Sequence, residues 1–399
     1  MTRHAFDSIS VTTSRNALRC LANAMLLKPD TRQIFIDLGY EEKACNRLKN
    51  DSRDDEFLLS RIILLTTYGT NIKVEKLIDQ YHLAENICIN LGRHAKHYVT
   101  EQEKLKELDP MEDMALTESS KLLFNISHFC PQRSAAFSPA LPHILTILNN
   151  RPMSPTKPLE APISSLVNSI LNIPLEQEEN IDVLFPRETP NMYIDRFIDI
   201  LDKSIKVYVD EDLEGLVSPL MALIHKVYGA AIPDIQRHIR ELLLPNIEDR
   251  KQPLGRGESL SARLLRISAN ITTPKVQEST CSLLFELSGK DARTFVENIG
   301  YGYASGFLFR NKIPLPENAL EAQIASNGES SKSGASQQTW KAVNPITGQT
   351  LESEPVVNMP EMTDEEKERE AERLFVLFER YPQSSRSLLR HDADYENVG

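Results

Sequence analysis

No stretch of this chain approaches the roughly 18 consecutive apolar residues that a bilayer-crossing helix needs. The opening Met1-Thr-Arg-His-Ala-Phe-Asp-Ser has neither the apolar core of a secretory signal nor a myristoylation glycine. A soluble, cytoplasmic protein is therefore expected, with any membrane recruitment running through a partner. Cysteine is scarce and scattered. Cys20, Cys45, Cys88, Cys130 and Cys281 are odd in number and never spaced Cys-x-x-Cys, a pattern of reduced, mostly buried thiols rather than a disulfide framework. Basic charge is also short, 45 Lys and Arg against 57 Asp and Glu for a net charge of -12. That balance removes a general affinity for nucleic acid or anionic membrane without excluding a local basic patch. No stretch alternates with period two for long enough to build a sheet, and no Walker A motif is present.

What is there is a succession of amphipathic helices from about Asn16 to about Phe309, read from apolar spacing at period 3.6. Leu18, Leu21, Ala22 and Met25 form one stripe, stopped by Pro29. A short helix from Thr31 to Leu38 ends at Gly39, and another through Phe57, Leu58, Ile62 and Leu65 ends at Gly69. Stripes through Leu116 to Ile126 and Ile163 to Ile170 are halted before Pro131 and Pro174. Further stripes run from Ile194 to Ile205, Leu213 to Val227, Leu260 to Ile271 and Val276 to Leu287, and Ala292 to Ile299 also reads as helix. Breaks every dozen to 20 residues or so, with no strict period, predict an all-α, degenerate armadillo- or HEAT-like superhelix over residues 1–312, with an irregular helical bundle as the other reading.

Beyond it the composition shifts to Asn, Ser, Gly, Gln and Glu, with Ala335 nearly alone as an apolar residue between Ser326 and Gln338. Such a segment buries too little to offset its ordering entropy, so residues 313–340 are predicted to be a flexible linker. Ser326-x-x-Glu329 there has the form of an acidic-directed phosphorylation site. Residues 341–381 hold Asn344-Pro-Ile-Thr-Gly-Gln, a turn, and a charged C-terminal helix. In that helix Thr363 and Glu366 make a capping box, and Leu374, Phe375, Leu377 and Phe378 make an apolar face. The 382–399 tail is predicted to be disordered.

Candidate chemistry is thin. His94 and His97 share a helix face, as a metal pair would, but no third ligand is placed, which favours exposed polar positions over a metal. His128 and Cys130 do not face each other as a nucleophile pair requires. Gly300-x-Gly302-x-x-x-Gly306 lacks the preceding strand of a dinucleotide loop, and Gly255-x-Gly257 lacks a following Lys. Asp54-Asp55 and Glu178-Glu179 read as surface charge or helix-start complements. No cofactor, metal or catalytic residue is expected. Asparagines within apolar helices are more telling, because the side chain competes for backbone hydrogen bonds. Asn125, mid-helix, is read as facing a peptide ligand. For Asn172, which precedes Ile173-Pro174, that reading and a helix-end cap stand equal. Arg263 and Arg266, three apart on one face, with Arg61 and Lys275, suit a groove for a carboxylate or acidic helix, although solvated outer-face arginine is the plainer alternative.

The segments Ser60-Arg-Ile-Ile-Leu-Leu-Thr66, Leu122-Leu-Phe-Asn-Ile-Ser127, Asn168-Ser-Ile-Leu-Asn-Ile-Pro174 and Gly300-Tyr-Gly-Tyr-Ala-Ser-Gly306 occur in that order, followed by the tail motif. Together they resemble the synembryn family, exchange factors and folding chaperones for heterotrimeric G-protein α subunits, from about Ala17 to about Glu379. The chain departs from the family pattern before Asn16, where opening helices are expected, and after Arg380. The resemblance implies that the superhelix grips the C-terminal helix of a Gα subunit in its GDP-bound or nascent form and stabilises the nucleotide-free state. It favours Arg61 and Arg266 as partner contacts, and implies recruitment to the cell cortex or plasma membrane by Gα. It also implies that the tail helix, with Leu374, Phe375 and Phe378, touches the same partner. A monomer without covalent chemistry of its own is expected. The alternatives are a peptide-binding adaptor that leaves nucleotide untouched, and a helical metalloenzyme built on His94 and His97.

Overall fold

In the computed structural model of the chain, the described residues are 1–100, 109–314, 343–344, 346–354, 363 and 365–373. Met1–Ser353 and Glu354–Gly399 are two separate units. The first opens with α1 (Thr2–Asp7), α2 (Val11–Leu27), α3 (Asp30–Asp37), α4 (Glu41–Leu48), α5 (Arg53–Thr66), α6 (Val74–Asp79) and α7 (Leu83–Thr100). It continues through α8 (Pro110–Phe129), α9 (Leu141–Asn150), α10 (Ile163–Ile170), α11 (Glu178–Leu184), α12 (Met192–Val207), α13 (Asp210–Asp212) and α14 (Ser218–Ala230). It closes with α15 (Pro233–Leu243), α16 (Leu260–Ser268), α17 (Pro274–Leu287), α18 (Ala292–Ile299) and α19 (Tyr301–Arg310). The fold is all-α. Among the described residues the only β pairing is a single antiparallel bridge, Val343 to Thr350.

Local chemistry sets the helix ends. Ser10, Ser52, Ser259 and Asp291 each accept a backbone N–H from the first turn, satisfying donors that lack an intrahelical partner. Pro110 stands at the start of α8, where its missing N–H costs nothing. Gly39 and Gly69 close their segments at φ +68 and +70, a conformation that a Cβ disfavours.

The helices stack in two rows. One runs α2, α5, α8, α10, α14, α17; the other runs α4, α7, α9, α12. Between them lies one continuous core in which Leu58, Ile62, Leu122, Ile126, Leu166, Ile170, Leu220 and Leu284 are buried. Each such side chain contributes about 1.5–3 kcal/mol by leaving water. A recurring device joins neighbours within a row. A polar side chain of one helix donates to carbonyls at the C-terminal end of the helix before it, where intrahelical partners have run out. Asn86 and Asn90 of α7 reach Cys45 O at 2.9 Å and Leu48 O at 3.2 Å, and Arg93 reaches Asn50 O at 2.6 Å. Asn172, just past α10, reaches Phe124 O at 3.0 Å, a carbonyl still inside α8 rather than at its open end. Arg196 of α12 reaches Leu148 O at 2.9 Å and Arg151 O at 2.5 Å, and Lys226 of α14 reaches Leu171 O at 2.9 Å and Ile173 O at 2.5 Å. The cations among these also meet the negative end of a helix dipole.

Val343–Ser353 belongs to the first unit. Its turn is built by Asn344, whose Oδ1 accepts from Ile346 N at 2.9 Å while Gly348 N donates to Asn344 O at 2.8 Å. The turn clasps the segment between α15 and α16: Leu254 N donates to Thr347 O at 3.0 Å and Thr350 N to Arg250 O at 2.8 Å. The buried Arg250 guanidinium donates to Gly348 O at 3.0 Å and to Glu297 O and Asn298 O, at the end of α18, at 3.0 and 2.9 Å. In the second unit a helix covers residues 365–373. Thr363 N donates to Glu366 Oε2 at 3.0 Å and Glu366 N to Thr363 Oγ1 at 3.4 Å, the reciprocal box read from the sequence. Except for Ile313 and Pro314, most of the predicted linker and all of the 382–399 tail lie outside the described residues.

Candidate partner-binding surface

The C-terminal halves of α5, α8 and α10 form one face. Tyr68, Phe124, His128 and Phe129 cluster there: Tyr68 meets Phe129 edge-on at 6.4 Å between ring centroids, Phe124 stacks on His128 at 6.0 Å, and His128 meets Phe129 at 5.6 Å. Tyr68, His128 and Phe129 are exposed, an arrangement that leaves aromatic surface for a partner. A small cavity of about 100 Å³ opens beside them, lined by Leu64, Tyr68, Lys121, Phe124, Asn125 and Asn168.

Arg61 lies on α5, Asn125 on α8 where it lines the cavity, and Asn172 just past α10. Arg61 is half-buried with its guanidinium 5.3 Å over the Phe57 ring, and it has no ion pair among the described residues, so its donors remain available. The Asn125 amide, expected from the sequence to face a peptide ligand, is instead buried and turned to its own body, donating to Thr67 Oγ1 and accepting from Tyr68 OH at 3.3 Å. Lys121 pairs with Glu118 at 3.2 Å. Asn172 takes neither of its two sequence readings unchanged, since the carbonyl it holds belongs to the neighbouring helix α8 rather than to its own.

Arg263 and Arg266, predicted on one groove wall, are separated. Arg263 is buried, donating to Glu258 O and ion-paired with Asp202 of α12. Arg266 is exposed and donates to Gly255 O at 2.8 Å and Gly257 O at 2.7 Å. Helix α16 packs against neighbours over more than one flank, so positions three apart do not stay on a single solvent face. Lys275 is exposed in the first turn of α17, where its backbone N–H meets Glu214 Oε1 at 2.9 Å. Leu374, Phe375 and Phe378 lie outside the described residues.

Behind the face sits a polar knot that sequence spacing did not reveal. His94, predicted as an exposed position, is fully buried between two carboxylates: Nε2 is 3.0 Å from Glu56 Oε1, and Nδ1 faces Glu112 Oε1. Glu56 also accepts from Ser119 Oγ at 2.6 Å and pairs with Arg93, while Arg53 pairs with Glu112. Burial alone would push the His94 imidazole down, but the hydrogen bonds it donates to Glu112 and Glu56 outweigh it and raise it to about 9. Burial likewise works to raise Glu112, and His94 overrides it to hold that carboxyl below its usual range. A charged imidazole cannot ligate a metal, and no metal-binding group of three or more His, Cys, Asp or Glu occurs among the described residues. Asp55, read as surface charge or a helix-start complement, does stand in the first turn of α5 but is buried, paired with Arg15 at 2.9 Å and Arg47 at 3.0 Å. The available signal for both was polar residues set inside otherwise apolar stripes.

A wider cleft of about 730 Å³ lies along α7, lined in part by Ile78, Cys88, Gly92, Lys96 and His143. Burial pushes the Cys88 thiol up to about 12, so it supplies no thiolate nucleophile. Gly300, at φ +80, ends α18 and immediately precedes α19, which removes any phosphate-loop geometry there.

A family model described as guanine nucleotide exchange factor synembryn matches residues 1–385. The chain is 28% identical over 285 residues to a synembryn-like chaperone of Schizosaccharomyces pombe, covering 68% of this chain and 52% of that protein. It is 24% identical over 384 residues to the chaperone Ric-8A of Bos taurus and 26% identical over 402 residues to that of Danio rerio. Both vertebrate matches cover 91% of this chain and 70% of the relative. The chain thus spans about half the length of the yeast relative and about 70% of the vertebrate ones.

Proposed function

Because the chain belongs to the synembryn family, we propose that it is an exchange factor and folding chaperone for G-protein α subunits, acting on nucleotide held by that partner. The face on α5, α8 and α10 receives the subunit's C-terminal helix, and the helix over 365–373 with the residues that follow it makes a second contact with the same subunit. The observation that carries the reading is the Arg61 guanidinium with the exposed aromatic rings of Tyr68, His128 and Phe129 within a family-matched region. An unpaired guanidinium suits a terminal carboxylate, and aromatic surface suits the apolar side of a helix.

Holding that helix away from its own domain withdraws support from the nucleotide pocket, so GDP leaves. The face then favours the nucleotide-free form over the GDP form, and only such differential affinity shifts the equilibrium. GTP binding restores the subunit's own packing and releases it. The chaperone role uses the same contact, covering apolar surface on an incompletely folded subunit.

The test is GDP release from purified Gα subunits with micromolar full-length chain. Release is expected to accelerate, and Arg61→Glu is expected to abolish both binding and acceleration while leaving the melting midpoint within a few degrees. Binding without accelerated release would leave the adaptor reading. No binding to any subunit in a GDP-loaded panel would remove the proposal.

A further inference from the structure

Between α9 and α10 the chain runs as an arch fixed at both ends. Arg151 closes α9: its carbonyl accepts from Arg196 Nη2, and its guanidinium donates to Asp113 Oδ2 of α8 at 2.7 Å and to Tyr98 OH of α7 at 2.5 Å. At the other end Leu159 is fully buried, and its N–H donates to Tyr208 OH at 2.9 Å. The six residues between these anchors and Pro158, Pro152-Met-Ser-Pro-Thr-Lys157, form no helix or strand, and Pro152, Pro155, Thr156 and Lys157 are exposed. Ser154 is half-buried. Its Oγ accepts from Lys157 N at 3.2 Å and lies 3.4 Å from Thr156 Oγ1, both within the arch. Five hydroxyl residues of the chain directly precede proline: Ser138, Ser154, Thr189, Ser218 and Thr273. The fold takes three of them out of reach. Ser138 lies inside a 3-10 helix, Pro131–Ala140, and accepts from Asn180 Nδ2 at 3.0 Å. Ser218 opens α14 and donates to Glu214 O at 3.0 Å, and Thr273 is buried. Thr189 is exposed, but three residues on stands Met192, at the start of α12. Ser154 alone combines exposed flanks with a cation at that position, Lys157, which has no ion pair among the described residues.

We propose that Ser154 is a phosphorylation site for a proline-directed serine kinase that reads a cation three residues after the hydroxyl. Such a kinase holds its substrate extended in a cleft, and proline biases the residue before it towards extended backbone. Proline also brings no N–H that the cleft would have to satisfy. The Lys157 ammonium supplies the charge for an anionic group on the kinase. In the step itself Ser154 Oγ bonds to the γ-phosphorus of ATP as the bond from that phosphorus to the β–γ bridging oxygen breaks. ADP leaves, and the hydroxyl proton passes to a carboxylate base of the kinase. Straightening the arch gives up the bond from Lys157 N to Ser154 Oγ, while the anchors at Arg151 and Leu159 stay in place. The product carries a charge of about −1.5 to −2 at neutral pH on a loop that the helices on either side hold at the surface.

The test uses the folded full-length chain, a purified cyclin-dependent kinase and labelled ATP, with the modified residue mapped by mass spectrometry. Incorporation of one phosphate per chain at Ser154 is expected. Ser154→Ala is expected to abolish it, and Thr189→Ala to leave it unchanged. Lys157→Ala is expected to slow it at least about tenfold, the worth of one charge-assisted contact. None of these substitutions touches the core, so the chain that is assayed remains folded. No incorporation into the wild-type chain overturns the proposal, as does label that persists in Ser154→Ala. A rate unmoved by Lys157→Ala overturns it too, because the kinase would then accept the arch without the cation that singles it out.

Discussion

His94 illustrates what single residues do here. Its imidazole is buried between Glu56 and Glu112, with Arg93 and Arg53 on the far sides of those carboxylates. With the folded-state value raised from 6.5 to about 9, the stabilisation from its charge is fully present below pH 6.5 and is lost as pH climbs through 9. The loss is on the order of 3 kcal/mol. Denaturant midpoints measured from pH 6 to 10 are expected to fall across this window, and His94→Gln is expected to flatten that slope while lowering stability at pH 6. Spacing alone made His94 look like half of a surface pair with His97. The two carboxylates that claim it come from α5 and α8, and no local pattern brings those helices together. Asn125 and Arg61 stand out in the sequence as polar groups in apolar stripes, but a stripe does not say what they meet, and Asn125 turns out to be buried against Thr67 and Tyr68. The pairing of Arg263 was not legible, because its partner Asp202 lies 61 positions away on α12.

At the scale of elements, helix ends were easy to read and helix junctions were not. Ala292–Ile299, the stop at Gly39 and the halt before Pro131 rest on capping and backbone rules that act within a few residues. The side chains that bind carbonyls of a neighbouring helix act between elements some 40 to 55 positions apart, so only the stack reveals them. Arg196 is the clearest case, bridging two carbonyls at the end of α9. Arg196→Ala leaves both short of a donor and is expected to destabilise the body by about 2–4 kcal/mol, since each lost bond to a charged donor costs roughly 1.5–3 kcal/mol and water recovers part of it. Urea midpoints would register this, and Arg196→Lys should recover part of the loss.

At the scale of the molecule, each helix of the first unit packs mainly on its neighbours in the stack, so stability is close to a sum of local and nearest-neighbour terms. Damage should therefore stay near its source. Leu122→Ala opens a cavity under α8 worth about 2–5 kcal/mol. Amide exchange is expected to quicken in α5, α8 and α10 and to change little in α17 to α19; uniform quickening along the chain would mean a single all-or-none body instead. The class of fold was readable from breaks and periodicity, while the return of Val343–Ser353 onto the 250–254 segment was not, because Asn344-Pro-Ile-Thr-Gly-Gln announces a turn but not what that turn touches.

The carbonyl-binding side chains at these junctions share a polarity. At the α4–α7, α8–α10, α9–α12 and α10–α14 junctions the donor lies later in the sequence than the acceptor it serves. On a ribosome, where the N-terminus emerges first, the earlier helix at each of these junctions would thus wait with its carbonyls open to water until the later one arrives. Translation and assembly would proceed in the same direction, and a repeat docked out of turn would find nothing to accept its proton.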